Sequence, residues 1–178
     1  MANSIKNLLI KYKLINSNYI SLFHERVRDR NDIKVLRCDK SKIIFLSKTN
    51  HINLKKYQKK KKFRYFGSDK RKEIIQNVSE DTKRRKKILK DDITNKKWLD
   101  FGTGSGAILE KSFNADVVHA VEPNDNMSFK LNKLGFKVFK SSNLLKKNYY
   151  DIISIFHVFE HLINPVKELK VLRTKLKK

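Results

Sequence analysis

The stretch WLDFGTGSGAIL, Trp98 to Leu109, constrains this chain more than any other. Three of the chain's five glycines fall at Gly102, Gly104 and Gly106, behind a short apolar run and ahead of a helix-like one. Glycine there lets a strand turn sharply and lets a ligand lie against bare backbone. About twenty residues on, a second apolar run, DVVHAV, ends in Glu122, where a carboxylate can accept hydrogen bonds from both hydroxyls of a ribose.

From that point the pattern is regular. Apolar KWLDF, DVVHAV, KVFK and DIISIF alternate with helix-like GAILEKSF, NDNMSFKLNKLG and EHLINPVKELKVLRTKLKK. Strands separated by helical stretches predict βαβ units and a parallel sheet, an α/β Rossmann-like fold with helices on both faces. Upstream, IKVLRC (33–38) and KIIFLS (42–47) predict a β-hairpin across DKS. KKYQKKKK (55–62) is a block of like charge, expected as a solvated loop or frayed helix. Residues 68–90 predict one or two helices, with an N-cap at Ser68 or Asp69. The expected domains are a hairpin unit with basic linker, 1–62, and the α/β domain, 63–178.

The formal charge of +24 admits two readings. One is a polyanion partner, because clustered basic residues release counterions from phosphates. The other is compositional bias, favoured because Lys is spread through nearly every segment and Arg, the better phosphate clamp, is scarce beside it. Cys38 is the only cysteine, so no internal disulfide forms and nothing marks an oxidising compartment. The amino-terminal apolar run is broken by Lys11 and Lys13 and no stretch reaches the roughly 18 apolar residues of a spanning helix. A cytoplasmic location is expected.

A lone G-x-G-x-x-A pattern is weak. Here it is joined by Asp100 two residues ahead of the first glycine, by a G-x-G-x-G turn, and by YDIISIFHVFEHLINP after the fourth strand. With these, residues 97–178 resemble the first half of a class I S-adenosylmethionine-dependent methyltransferase. The E-H-L segment and the leading strand pair resemble a branch acting in sugar and surface-polysaccharide pathways. The resemblance implies S-adenosylmethionine as cofactor and a role for each site residue. Asp100 serves the cofactor's amino-acid end. Gly102, Thr103, Gly104 and Gly106 form the floor beneath its methionyl and ribosyl parts. Glu122 holds the ribose hydroxyls and Pro123 shapes the loop beside adenine. Ser142 and Asn143 contact the adenine amine, or are simply turn formers. Phe156 and His157 face the sulfonium and the acceptor.

His157 is either a general base for an acceptor hydroxyl or a structural residue, since methyl transfer from a sulfonium needs alignment more than proton transfer. Glu160 and His161 are expected at a helix start, where Glu160 suits the dipole, with His161 and Leu162 bracing packing or, as the alternative, serving catalysis. Where relatives carry C-x-x-C this chain has CDKS with no second pair, which rules against zinc and makes Cys38 a buried small hydrophobe. Four of the family's seven strands are present, so the fourth is expected at an exposed sheet edge. A truncated chain, a fragment, or one needing a partner chain to complete the sheet is implied, with weak or absent turnover alone. The acceptor implied is a small molecule, a sugar or polysaccharide precursor. The rival expectation is an RNA- or polyanion-binding protein, or a nucleic-acid methyltransferase, with Tyr57, Phe63, Tyr65 and Phe66 stacking on bases.

Overall fold

A computed structural model describes residues 4–27, 30–49, 52–59, 70–110 and 114–178. They form two compact units, Met1–Asn53 and Leu54–Lys178. Among the described residues no helix is long and apolar enough to cross a membrane.

In the first unit helix α1 (Ser4–Lys11) precedes a three-stranded antiparallel sheet in the order β1 (Ile20–His24), β2 (Val35–Cys38), β3 (Ile44–Leu46). The expected hairpin is the β2–β3 pair, with Leu36 opposite Phe45. Strand β1 was not anticipated, because the apolar–polar alternation of ISLFH runs only from Ile20 to Leu22 and breaks at Phe23. Cys38 is buried with Ile15 and Phe45, the small apolar role expected of it.

The second unit runs α2 (Leu54–Gln58), α3 (Arg71–Asn77), α4 (Ser79–Ile93), β4 (Lys97–Phe101), β5 (Val117–Val121), α5 (Asp125–Lys133), β6 (Lys137–Phe139), β7 (Ile152–Ile155) and α6 (Pro165–Arg173). The four strands are parallel in the order β6-β5-β4-β7. Strand β4 lies inside the sheet and is buried on both sides, as a strand covered by helices on two faces must be. Trp98 packs with Leu89 and Ile93 of α4, while Leu99 and Phe101 pack with Leu172 of α6. Ile74 of α3 joins Met127 and Leu131 of α5. The sheet is therefore Rossmann-like, with helices on both faces.

Side chains set the helix starts. Asn124 Oδ1 accepts from the Met127 N–H at 2.9 Å to open α5, and Asn164 Oδ1 accepts from the Lys167 N–H at 3.0 Å to open α6. Two expected helices differ. GAILEKSF was expected to be helical, yet Gly106–Glu110 are turns, and residues 111–113 lie outside the described part. Ala107, Ile108 and Leu109 are all buried, whereas successive helix residues point about 100° apart and a surface helix cannot bury three in a row. Bonds from Gly106 N to Thr103 O and from Leu109 N to Gly106 O, both 3.0 Å, hold tighter turns instead.

Likewise Glu160 and His161 do not begin the last helix. They sit in a single 3₁₀ turn, Phe159–His161, because Pro165 lacks an N–H and is accommodated at the first position of α6. Ser68 and Asp69, expected as caps, lie outside the described residues, and Lys70 precedes α3. Strand β7 ends the sheet order as expected. Beside its start a parallel bridge joins Tyr150 to Leu176, with Lys177 N donating to Tyr150 O at 2.8 Å.

Candidate functional site

The parallel register brings the carboxyl ends of β4 and β5 side by side, Phe101 beside Val121. Each strand then delivers its succeeding loop to one spot, the place where open parallel sheets bind ligands. Gly102 and Thr103 N–H groups donate to Val121 O at 2.8 and 3.1 Å. Gly104 N–H reaches Glu122 Oε2 at 2.8 Å. The glycine turn and the acidic strand end thus form one structure.

Glu122 is almost wholly buried. Its Oε1 accepts from the Asn124 N–H at 2.8 Å and from the Tyr57 hydroxyl at 3.1 Å. Burial pushes its carboxyl up to about 7, against the pull of the Asn124 and Gly104 N–H groups, the Tyr57 hydroxyl and the more distant Lys140 ammonium. Asp100 is buried beneath the turn and accepts from the Ser154 hydroxyl at 2.7 Å. Ser154 in turn accepts from Trp98 Nε1 at 2.9 Å. Burial raises the Asp100 carboxyl above its ordinary range, opposed by the Ser154 and Thr103 hydroxyls and the charge of Arg85.

Above the turn lies a shallow, open cleft lined by Val78, Thr82 and Arg85, by Gly102–Ser105 and by Phe156. All three glycines of the turn have positive φ, at 81°, 58° and 71° for Gly102, Gly104 and Gly106, where side chains are strained. Their surroundings differ. A Cβ on Gly102 would stand 2.2 Å from Val158 Cγ2, and one on Gly106 2.4 Å from Leu131 Cδ2. A Cβ on Gly104 would meet nothing within 4 Å. Packing therefore explains two of the glycines and open space faces the third.

Of the other anticipated residues, Phe156 lines the cleft, with the Arg85 guanidinium 5.0 Å from its ring centre. Arg85 is also ion-paired with Asp81. Pro123 comes directly after Glu122. Ser142 is buried and Asn143 exposed, in a 3₁₀ turn after β6. His157 comes directly after Phe156 with its ring mostly exposed and its φ at 52°, Nε2 3.7 Å from Asp81 Oδ2 and Nδ1 3.7 Å from Glu160 Oε1.

Sequence reasoning missed Arg85 as a cleft wall and set Tyr57 in a solvated basic segment, among aromatics that either stack on bases or, by the family resemblance, stand as a lid over the cofactor. Tyr57 turns toward Glu122. Its carbonyl accepts from Asn124 Nδ2 at 2.9 Å, so both ends of the residue are tied to the β5–α5 corner. Phe63, Tyr65 and Phe66 lie outside the described residues.

A family model described as a methyltransferase domain matches residues 66–178. The chain belongs to this methyltransferase family. Solved structures similar to it include a SAM-dependent methyltransferase from Aquifex aeolicus, 31% identical over 52% of this chain and 57% of that one, with a TM-score of 0.45. One from Archaeoglobus fulgidus is 26% identical over 61% and 49%, with a TM-score of 0.45. A possible histamine N-methyltransferase from Thermotoga maritima is 20% identical over 60% and 56%, with a TM-score of 0.41. The chain spans about half the length of these structures. No curated protein matches it. The glycine turn, Glu122 and Phe156 all lie inside the matched methyltransferase domain.

Proposed function

We propose that this methyltransferase domain binds S-adenosylmethionine over the Gly102–Gly106 turn and transfers its methyl group to a small-molecule acceptor. The observation that carries the reading is the convergence of two strand ends: Gly104 N–H on Glu122 Oε2 at 2.8 Å, beside a glycine whose missing side chain opens onto the cleft. That open space above bare backbone suits a ligand lying on it.

In this reading Glu122 accepts from the ribose hydroxyls, Pro123 shapes the adenine loop, and Ser142 and Asn143 flank the base. Asp100 serves the amino-acid end through the turn, because its carboxylate lies under the turn and not in the cleft. The cofactor, when bound, supplies a methyl group on a positively charged sulfur, an electrophile with a good leaving group. The protein's part is alignment and exclusion of water. Phe156 presents an apolar wall to the reacting centre, and Arg85 is held against it by Asp81.

His157 takes the acceptor's proton as the methyl group arrives, so that a neutral hydroxyl ends as a neutral methyl ether. Its left-handed backbone, strained for a side chain of this type, is the kind of outlier that clusters at functional sites. The sugar or polysaccharide-precursor acceptor rests on the resemblance of the E-H-L segment and leading strands. The chain is read as part of a larger assembly or a longer protein, its acceptor wall completed by further residues, and as acting in the cytoplasm.

Calorimetry with S-adenosylmethionine and S-adenosylhomocysteine, on the wild type and on Glu122→Ala, tests the proposal. Binding by the wild type and its loss in the variant is expected. No wild-type binding refutes the cofactor reading, and binding indifferent to Glu122 refutes the site.

A further inference from the structure

We propose that Tyr57 is a latch: in the free protein it fills a place on the Glu122 carboxylate that a ribose diol needs, and it must leave before both hydroxyls can bind. The proposal rests on the reading of Glu122 as the ribose-binding group. An ionised carboxylate offers about four acceptor positions. Three are taken, by Asn124 N–H and the Tyr57 hydroxyl on Oε1 and by Gly104 N–H on Oε2. One is left, and a diol needs two.

The three partners are not equally able to move. Gly104 belongs to a turn pinned by the Gly102 and Thr103 N–H groups on Val121 O and by Gly106 N on Thr103 O. Asn124 caps α5 through Oδ1, so withdrawing its N–H disturbs the helix start. Tyr57 lies on α2, five residues with none buried, a length that has no helical stability of its own. Its second tie, the carbonyl accepting from Asn124 Nδ2 at 2.9 Å, holds the segment over the same corner. The Tyr57 hydroxyl, the one donor of the three carried by a side chain and on a short helix with none of its residues buried, is therefore the one the diol displaces.

Cofactor entry and release of the Tyr57 hydroxyl are then one event. Latched, Tyr57 covers the buried carboxylate with a hydrogen-bond donor; unlatched, its hydroxyl yields that place to the ribose.

The test uses the full-length chain and Tyr57→Phe, which keeps the ring and deletes the hydroxyl. Amide hydrogen exchange without ligand reports on the latch, and calorimetry with S-adenosylhomocysteine and its 2′-deoxy analogue reports on the competition. In Tyr57→Phe the amides of 54–58 exchange faster, and S-adenosylhomocysteine binds roughly 2- to 10-fold more tightly, the worth of one net hydrogen bond. The 2′-deoxy analogue, needing one position, shows no such gain. An equal gain for both ligands marks simple steric relief and overturns the latch, as does no gain or slower exchange. Failure of both chains to bind overturns the cofactor reading and the latch together, whereas wild-type binding without a gain overturns the latch alone.

Discussion

Substituting each glycine of the turn by alanine separates residues that serve packing from the one that serves a ligand. All three sit at positive φ, so every substitution costs the left-handed penalty of roughly 1–2 kcal/mol. For Gly104→Ala that is the whole cost, because the new methyl meets nothing within 4 Å. For Gly102→Ala the methyl falls 2.2 Å from Val158 Cγ2, on a β-branched side chain that cannot swing away. Overpacking then adds about 1–3 kcal/mol, for about 2–5 kcal/mol in all. Gly106→Ala falls between, since the atom it meets, Leu131 Cδ2 at 2.4 Å, ends a more flexible side chain but one with no exposure. At roughly 2–4 °C per kcal/mol for a chain of this size, Gly104→Ala lowers Tm by only a few degrees and Gly102→Ala by about 4–20 °C.

Affinity reverses that order of concern. The Gly104 methyl enters the space assigned to the cofactor, so Gly104→Ala loses at least about tenfold in S-adenosylhomocysteine affinity, or 1.4 kcal/mol, while remaining the most stable of the three. Thermal melts read beside calorimetry on the same preparations give both quantities. Gly104→Ala binding like the wild type, or melting as low as Gly102→Ala, refutes the assignment of that glycine to the ligand.

Two further outcomes arise from buried groups. The Glu122 carboxyl, ordinarily at 4.5, is pushed to about 7 by burial. Between those values the unfolded chain has lost this proton while the folded chain keeps it, so stability falls as pH rises across the window, by roughly 3 kcal/mol at ~1.36 kcal/mol per pH unit. Urea titrations from pH 4.5 to 7.5 show a shallower decline in Glu122→Gln, Asp100 contributing in the same direction in both chains; an unchanged slope sinks the argument. Cofactor affinity moves oppositely, rising with pH through about 7 as the accepting carboxylate forms. Ser154→Ala removes the acceptor of the Trp98 indole N–H and one donor to the buried Asp100 carboxyl and costs about 1–3 kcal/mol. Trp98 is the single tryptophan, so its fluorescence tracks the unfolding, and a loss below about 0.5 kcal/mol excludes the relay.

The four strands, the glycine turn and the acidic strand end were legible because each is a local pattern. An apolar run of a few residues, a cluster of glycines and a carboxylate at a fixed interval depend on near neighbours in the chain, whose geometry has a fixed period. The first-unit hairpin was legible for the same reason. GAILEKSF was misleading because helix propensity was weighed without knowing that Ala107, Ile108 and Leu109 must all be buried in one short crossover.

Tertiary structure alone decided which donors meet which acids. Tyr57 is 65 residues from Glu122, and Ser154 is 54 from Asp100. No periodicity links such positions, since the free energy that joins them comes from burial around the sheet. The sequence by itself determined that a glycine turn follows this strand and which carboxylate stands beside it. Only the folded chain decided that Gly104 opens onto space while Gly102 and Gly106 are packed shut, and that a tyrosine from the basic segment is already bound to that carboxylate.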